Sequence, residues 1–479
     1  MVDRLSALDA SFLYLEEPST PMHTGALAVF DATAAGSDGP FDYDQLVRLV
    51  EEHIPLVPRY RQRVRDVPGH LAAPVWVDDE AFDVAYHVRR SGLPRPGSTR
   101  QLEELVARLL SRPLDRNRPL WEVYLVEGLA DDRFAIVTKT HQALVDGIVA
   151  LDIGQVLLER DPRVVPETPV DHWSPRREPS ALELLVDAVG DVARRPTAVV
   201  DAVRLGVSDV RRAVERVGGA ASSALQMART VARTAPPSPL NAEIGAARRF
   251  TTVRTDLERF KSIRQAHGGT VNDVVLAVVA GALRTWLQSR GEAVTGRTSV
   301  RAMVPVSVSD TGIHAGGPAL SSQVVAYFVD LPVGEGSPVV RLHQASYAMR
   351  PHQEGGTAVG AGNLANAAGF GPPTLHSLGV RAAAGMSRRM FNLVLTNVPG
   401  PQYPLYAAGA RMLEAYPVVP LARGQALSIG VTSYDGQVFF GLYGDREAMS
   451  DLDVLGDAID DALDELEDTV TAKRRRPRG

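Results

Sequence analysis

The sequence predicts an α/β (α+β) chain built as two mixed halves around a helical connector. Three observations predict this. Residues 1 to about 165 alternate strand-like, β-branched runs with stretches whose apolar residues recur at helical spacing. Ala181 to Arg233 is instead rich in Ala, Val and Arg, with apolar residues every three or four positions. From about 246 to 468 the mixed pattern returns.

In the first half, Leu102 to Leu110 (L-E-E-L-V-A-R-L-L) has helical periodicity. Phe134 to Thr140 (F-A-I-V-T-K-T) reads as a strand entered from a charged turn at Asp131-Asp132-Arg133. Pro162 to Pro179, which contains Trp173, reads as a linker. The connector that follows is amphipathic helix, interrupted near Pro196 and at Gly218-Gly219. Its Arg194, Arg195, Arg204, Arg211 and Arg212 alternate with acids, which suits a solvated helical face or a basic face on anionic lipid. Ala235 to Pro239 (A-P-P-S-P) ends it.

In the second half, Thr270 to Trp286 begins with a Thr-Val-Asn-Asp cap and continues as a strongly apolar helix. Ser299–Val308, Val324–Leu331, Ala426–Ser433 and Val438–Tyr443 read as strands, the last two joined by an Asp435-Gly436 hairpin turn. Asp451 to Asp468 is an acidic amphipathic helix, and Lys473 to Arg478 a basic, disordered tail. The expected division is therefore 1–165, a connector over 166–245, 246–468, and a tail from 469 to 479.

Composition removes several function classes. A chain of 479 residues exceeds one ordinary core, so two or three domains are expected. Hydrophobic residues at 45% against 23% charged make it globular, and a net charge of −6 gives no reason to expect nucleic acid as a partner. The absence of cysteine rules out disulfides, thiolate nucleophiles and Cys-based metal sites. The N-terminus lacks the uninterrupted apolar core of a signal peptide. The longest apolar run, Val274 to Leu283, is well short of the ~20 residues that cross a bilayer and reads as a buried helix. A cytoplasmic protein is expected, with peripheral contact to a membrane or lipid droplet left open and the oligomeric state unassigned. No His/Asp/Glu cluster has metal-ligand spacing, so no metal is expected. No Gly-x-Ser-x-Gly elbow or phosphate-binding loop is present.

The chemistry concentrates in T-K-T-H-Q-A-L-V-D-G, Thr138 to Gly147. A histidine at the end of a strand is held rigidly. The following turn, relieved by Gly147, lets Asp146 fold back to fix the backbone or pair with an arginine. A histidine beside His141, with an ordinary pKa near 6.5, would suit proton removal from an alcohol or amine attacking a thioester. No covalent intermediate is needed. His23 and His376 are the next histidines of interest, each read as structural or exposed.

This stretch resembles the H-H-x-x-x-D-G motif of the CoA-dependent acyltransferase superfamily. Other stretches narrow the resemblance to the bacterial wax ester synthase/diacylglycerol acyltransferase family in its actinobacterial form. They are L-S-A-L-D-A-S-F-L-Y-L-E (Leu5–Glu16) with P-M-H-T-G (Pro21–Gly25), P-R-Y-R-Q-R-V (Pro58–Val64), R-P-L-W-E (Arg118–Glu122), G-G-T-V-N-D-V-V-L-A (Gly268–Ala277) and T-N-V-P-G-P (Thr396–Pro401). The likeness runs in order along nearly the whole chain.

The resemblance implies two chloramphenicol-acetyltransferase-like domains in a V, as in peptide-synthetase condensation domains, with the motif on a tunnel between them. Acyl-CoA would enter from one side as co-substrate, with no bound cofactor, and a lipid alcohol or diacylglycerol from the other. His141 matches the family's first, structural histidine and Gln142 the second, its general base. Asp146 and Gly147 match the ordering Asp-Gly. Pro119, Leu120 and Trp121 match an element thought to shape the substrate tunnel, although Trp121 equally suits plain core. Asn272 and Asp273 match an N-D element near the site, although Asn272 equally suits a helix cap.

Gln142 departs from the pattern. A carboxamide donates and accepts hydrogen bonds but takes no proton near neutral pH. Three accounts fit: an introduced inactivating change, a natural change in a relative that has lost or altered its activity, or His141 taking over the proton transfer. Alternation of strand side chains argues against the last. The expected function is acyl-CoA-dependent O-acyl transfer to a fatty alcohol or diacylglycerol. The alternatives are an acyl-CoA- or lipid-binding protein without turnover, or an acyltransferase for a specialised small acceptor.

Overall fold

The computed structural model describes residues 3–32, 41–145, 153–162, 173–194, 234–308, 323–353 and 389–475. Three sheets form within them. A small one joins β1 (Asp3–Arg4), β4 (Val75–Asp78) and β3 (Gln62–Arg65). The first large sheet runs in the order β12 (Tyr406–Ala407), β13 (Ala410–Val418), β2 (His23–Asp31), β7 (Arg133–His141), β6 (Trp121–Leu129) and β5 (Val88–Gly92). The second runs β10 (Gln323–Leu331), β9 (Val300–Val308), β11 (Leu393–Pro399), β14 (Leu427–Tyr434), β15 (Gln437–Asp445) and β8 (Arg248–Asp256).

Local chemistry explains the elements that the sequence predicts. The β6–β7 hairpin turns at Asp131 and Asp132, whose φ values of 60° and 49° lie in the left-handed region that such turns use. Asp435 and Gly436, at 44° and 80°, close β14–β15 in the same way. Ser98 and Gln101 form a capping box that starts the helix Thr99–Ser111. Thr270 and Asp273 do the same for Val271–Ser289, whose Val274–Leu283 run is buried in the second core. Among the described residues no single helix is long and apolar enough to cross a membrane.

Three expectations change. The C-terminal helix runs Leu452–Arg475, so Lys473 to Arg475 belong to it and not to a disordered tail. Its apolar stripe continues at helical spacing through Leu463, Leu466 and Val470. The described part of the Pro-rich linker is docked on the small sheet: Arg176 Nε donates to Asp78 at 3.2 Å, and Arg61 lies 4.9 Å over the Trp173 ring. Most of the connector, including Pro196 and Gly218-Gly219, lies outside the described residues, which cover its start as the helix Ala181–Arg194.

The third change is the largest. The 246–468 segment is not self-contained, because β12 and β13 leave it to complete the first sheet, β13 pairing antiparallel with β2. The free edge of β2 supplies the hydrogen bonds, and Ala410, Met412, Tyr416 and Val418 supply apolar side chains that enter the first core. β13 therefore bridges the lobes, crossing close to β14 and β15. Gly430 and Gly441 are directly paired there, and a Cβ on either would meet Pro417, at 2.8 Å from its Cβ and 2.0 Å from its carbonyl oxygen respectively. Glu103 adds a second bridge, accepting from the backbone N–H of Thr252 at 2.7 Å and from its hydroxyl at 2.8 Å.

Candidate active site

β7 lies between β2 and β6 and carries His141 at its last position, opposite His23. The His141 amide donates to the Leu120 carbonyl at 2.9 Å, and the ring is 1% exposed. Its Nδ1 accepts the Ala143 backbone N–H at 3.0 Å. An acceptor nitrogen carries no proton, so in this arrangement the ring is neutral with its proton on Nε2. That nitrogen faces the Glu16 carboxylate at 3.7 Å.

Glu16 ends the segment after the helix Ala7–Leu15 and gathers three partners. His23 Nε2 lies 3.3 Å from its Oε1, and Arg116 Nε donates to Oε2 at 3.1 Å. Burial opposes the carboxylate charge, but the two facing histidines and the hydrogen-bonded Arg116 guanidinium outweigh it and hold Glu16 well below the usual carboxylate range. His23 is pushed down to about 4, chiefly by burial, with the nearby Lys139 charge adding to the shift against the pull of Glu16. The two histidine rings meet edge-on at 5.8 Å.

This gives a signed pH dependence. Unfolded His23 takes up a proton near pH 6.5 and folded His23 only near 4, so between those values the unfolded chain binds more protons. Stability should rise with pH across that window, by on the order of 3 kcal/mol from His23. Below the ordinary carboxylate range Glu16 adds a loss of the same sign. Urea unfolding at a series of pH values checks it: His23→Gln should flatten the slope between pH 4 and 6.5, and an unchanged slope would refute the assignment.

Gln142 follows His141 as the first residue of a turn, its N–H donating to the Met22 carbonyl at 2.8 Å. It is half-buried, whereas His141 is sealed. The two neighbouring side chains therefore occupy different environments. A cavity of about 370 Å³ reaches the far end of this turn at Ala143 and Leu144, with Asp3, Ser6, Arg59, Tyr60 and Trp76 among its other walls. Asp146, Gly147 and His376 lie outside the described residues.

The remaining candidates separate. Pro119, Leu120 and Trp121 are all buried. Trp121 is fully enclosed: its Nε1 donates to the Tyr60 carbonyl at 2.8 Å, and His87 stacks on it at 4.5 Å. The cap of Val271–Ser289 is Thr270, not Asn272. Asn272 instead accepts from Asn397 Nδ2 at 2.9 Å, joining the N-D stretch to T-N-V-P-G-P. Asp273 closes the capping box and accepts from Ser346 Oγ at 3.1 Å. Sequence reasoning missed Glu16 and underrated His23. Both stood in the opening stretches, and only the β2–β7 register brings them to His141. Among the described residues no group of three or more His, Asp or Glu side chains is arranged to hold a metal ion.

Comparison with known proteins bears on this geometry. Residues 5–275 match the wax ester synthase/diacylglycerol acyltransferase catalytic domain, and 321–467 the WS/DGAT C-terminal domain. The chain belongs to the wax ester synthase/diacylglycerol acyltransferase family. The probable diacylglycerol O-acyltransferase Tgs2 of Mycobacterium tuberculosis is 35% identical over 475 residues, 98% of this chain and 100% of that protein. The probable diacylglycerol O-acyltransferase Tgs3 of the same species is 49% identical over 265 residues, 55% of this chain and 96% of that protein. The solved wax ester synthase/diacylglycerol acyltransferase of Marinobacter aquaeolei VT8 is 30% identical with a TM-score of 0.66, covering 98% of this chain and 100% of its own. The starter condensation domain of rhizomide synthetase RzmA, at 12% identity and TM-score 0.54, shares the fold over 98% of this acyltransferase and 94% of its own chain. The resemblance read from the motifs and the two-lobed acetyltransferase-like fold both hold.

Proposed function

We propose that this acyltransferase takes a long-chain acyl-CoA and a fatty alcohol or diacylglycerol to a wax ester or triacylglycerol, with its proton-transfer step impaired at Gln142. The alcohol oxygen attacks the thioester carbonyl carbon, the C–S bond breaks, and the hydroxyl proton ends on the CoA sulfur. In the family pattern an imidazole at 142 carries that proton. The Gln142 amide oxygen can hold the hydroxyl by a hydrogen bond but cannot take its proton. One observation carries the reading: Gln142 sits half-buried beside a histidine whose own lone pair is committed to the Ala143 amide. That commitment also speaks against His141 as substitute base. Asp146, with Gly147, would order the turn, as the family resemblance implies.

The same residue favours a second reading, a binder of acyl-CoA that does not turn it over. Release of free CoA thiol from palmitoyl-CoA, with hexadecanol, dioleoylglycerol or no acceptor, separates the two. Acceptor-dependent release that grows in Gln142→His supports the first. Tight acyl-CoA binding with no release in either form replaces it by the second.

We also propose contact with a lipid surface through the helix Ala181–Arg194. Leu184 and Ala188 bury against Val67, Val75 and Val77, while Leu182 and Val186 stand 70% and 63% exposed. Leu182→Ser/Val186→Ser should lower flotation with phosphatidylcholine vesicles about tenfold, since each apolar side chain withdrawn from water contributes ~1.5–3 kcal/mol at most. Unchanged flotation would remove this face from the proposal.

A further inference from the structure

The turn that delivers Glu16 to His141 is held from the other lobe. Residues 16–23 (E-E-P-S-T-P-M-H) have Glu16 and His23 at their two ends. Between them the chain folds tightly on itself, the Thr20 amide donating to the Glu17 carbonyl at 2.8 Å. At the tip of this turn the Ser19 carbonyl accepts a hydrogen bond from Nη2 of Arg248, the first residue of β8 in the second lobe. On its flank Glu17 accepts from Arg423 Nη1 at 2.9 Å, again from the second half of the chain.

Arg248 is built into its lobe. Its side chain is 1% exposed, and its Nη1 donates to the carbonyls of Gly245 at 2.6 Å and Ala247 at 3.0 Å. Nη1 also lies 3.5 Å from the buried Asp445 carboxylate, which itself accepts the Gly245 and Ala448 amides. One nitrogen of the planar guanidinium is thus anchored in the second lobe while the other reaches across the boundary, a division a single ammonium cannot make.

We infer that Arg248 is a positioning residue for the site. By registering the 17–20 turn it sets the Glu16 carboxylate against Nε2 of His141, and so holds the proton on that nitrogen and Nδ1 on the Ala143 amide. The motif turn that carries Gln142 then depends on the two lobes keeping this arrangement. The inference rests on the motif being the working site, but its readout requires no turnover, so its failure and that of the proposed reaction are distinguishable.

The test is nitrogen NMR of the intact chain with labelled histidine, the His141 ring assigned by its loss in His141→Asn. The unaltered protein should show a protonated-type Nε2 and an unprotonated-type Nδ1 that stay apart. Arg248→Lys keeps a cation beside Asp445 and loses the second arm, and its two His141 resonances should converge as the ring samples both tautomers. Glu16→Gln should do the same. If Arg248→Lys does not fold, Glu17→Ala/Arg423→Ala loosens the same turn at exposed positions and should give a smaller convergence. A folded variant of either kind whose His141 resonances match the unaltered protein overturns the inference.

Discussion

Gln142→His is expected to raise acyl transfer from palmitoyl-CoA to a long-chain alcohol or diacylglycerol by about 10²–10⁴, or ~3–5 kcal/mol of barrier. The size follows from what the two side chains can do. Both can hold the incoming hydroxyl, so binding and proximity survive in either form. Only the imidazole can take up the proton as the oxygen attacks and release it to the leaving sulfur. The gain should therefore appear in kcat, with KM for acyl-CoA changed little. Were His141 the working base, the substitution would add little. The Ala143 amide on Nδ1, the Glu16 carboxylate opposite Nε2 and 1% exposure leave that ring no free lone pair and almost no accessible surface.

Gly441→Val is expected to cost about 3 kcal/mol or more of stability, read as a shift of the urea midpoint. Even the first carbon of the new side chain would stand 2.0 Å from the Pro417 carbonyl oxygen, backbone that cannot swing aside as a side-chain tip can. Strand β13 would have to lift from β14 and β15. Because β13 is also hydrogen-bonded to β2, the strain passes to the sheet whose β2–β7 pair places His23 beside His141. Val431→Ile, one residue along β14 from Gly430, keeps a β-branched side chain in the second core and serves as a milder control. Equal stability of Gly441→Val and the unaltered chain would show that β13 does not sit on this glycine pair.

Elements set by local chemistry were legible in the sequence. The hairpins at Asp131-Asp132 and Asp435-Gly436, the helix Thr99–Ser111 and the capped helix Val271–Ser289 each follow from a turn, a cap or a period within a few residues. The crossing of β13 was not. Its sequence, A-R-M-L-E-A-Y-P-V, lacks clean alternation and says nothing of which sheet edge it joins, and Thr24 and Val418, in contact at that edge, are 394 residues apart. The site shows the same division. His141 and Gln142 stand out because one motif carries both. The link from Glu16 through His23 to His141 depends on strand register, and the bond between Asn272 and Asn397 on a contact 125 residues long. Trp121 could be core or tunnel wall by sequence alone; its hydrogen bond to Tyr60 and the stacked His87 place it in packed interior.

The central claim is that position 142, and not His141, is where this fold places its proton acceptor. The pH–rate profile of Gln142→His beside that of the unaltered chain tests it most directly. The account predicts that kcat/KM of Gln142→His rises with pH through a single ionisation near 6.5, and that the slow residual transfer of the unaltered chain lacks this step. Matching rates with the same histidine-like rise in both forms would contradict it.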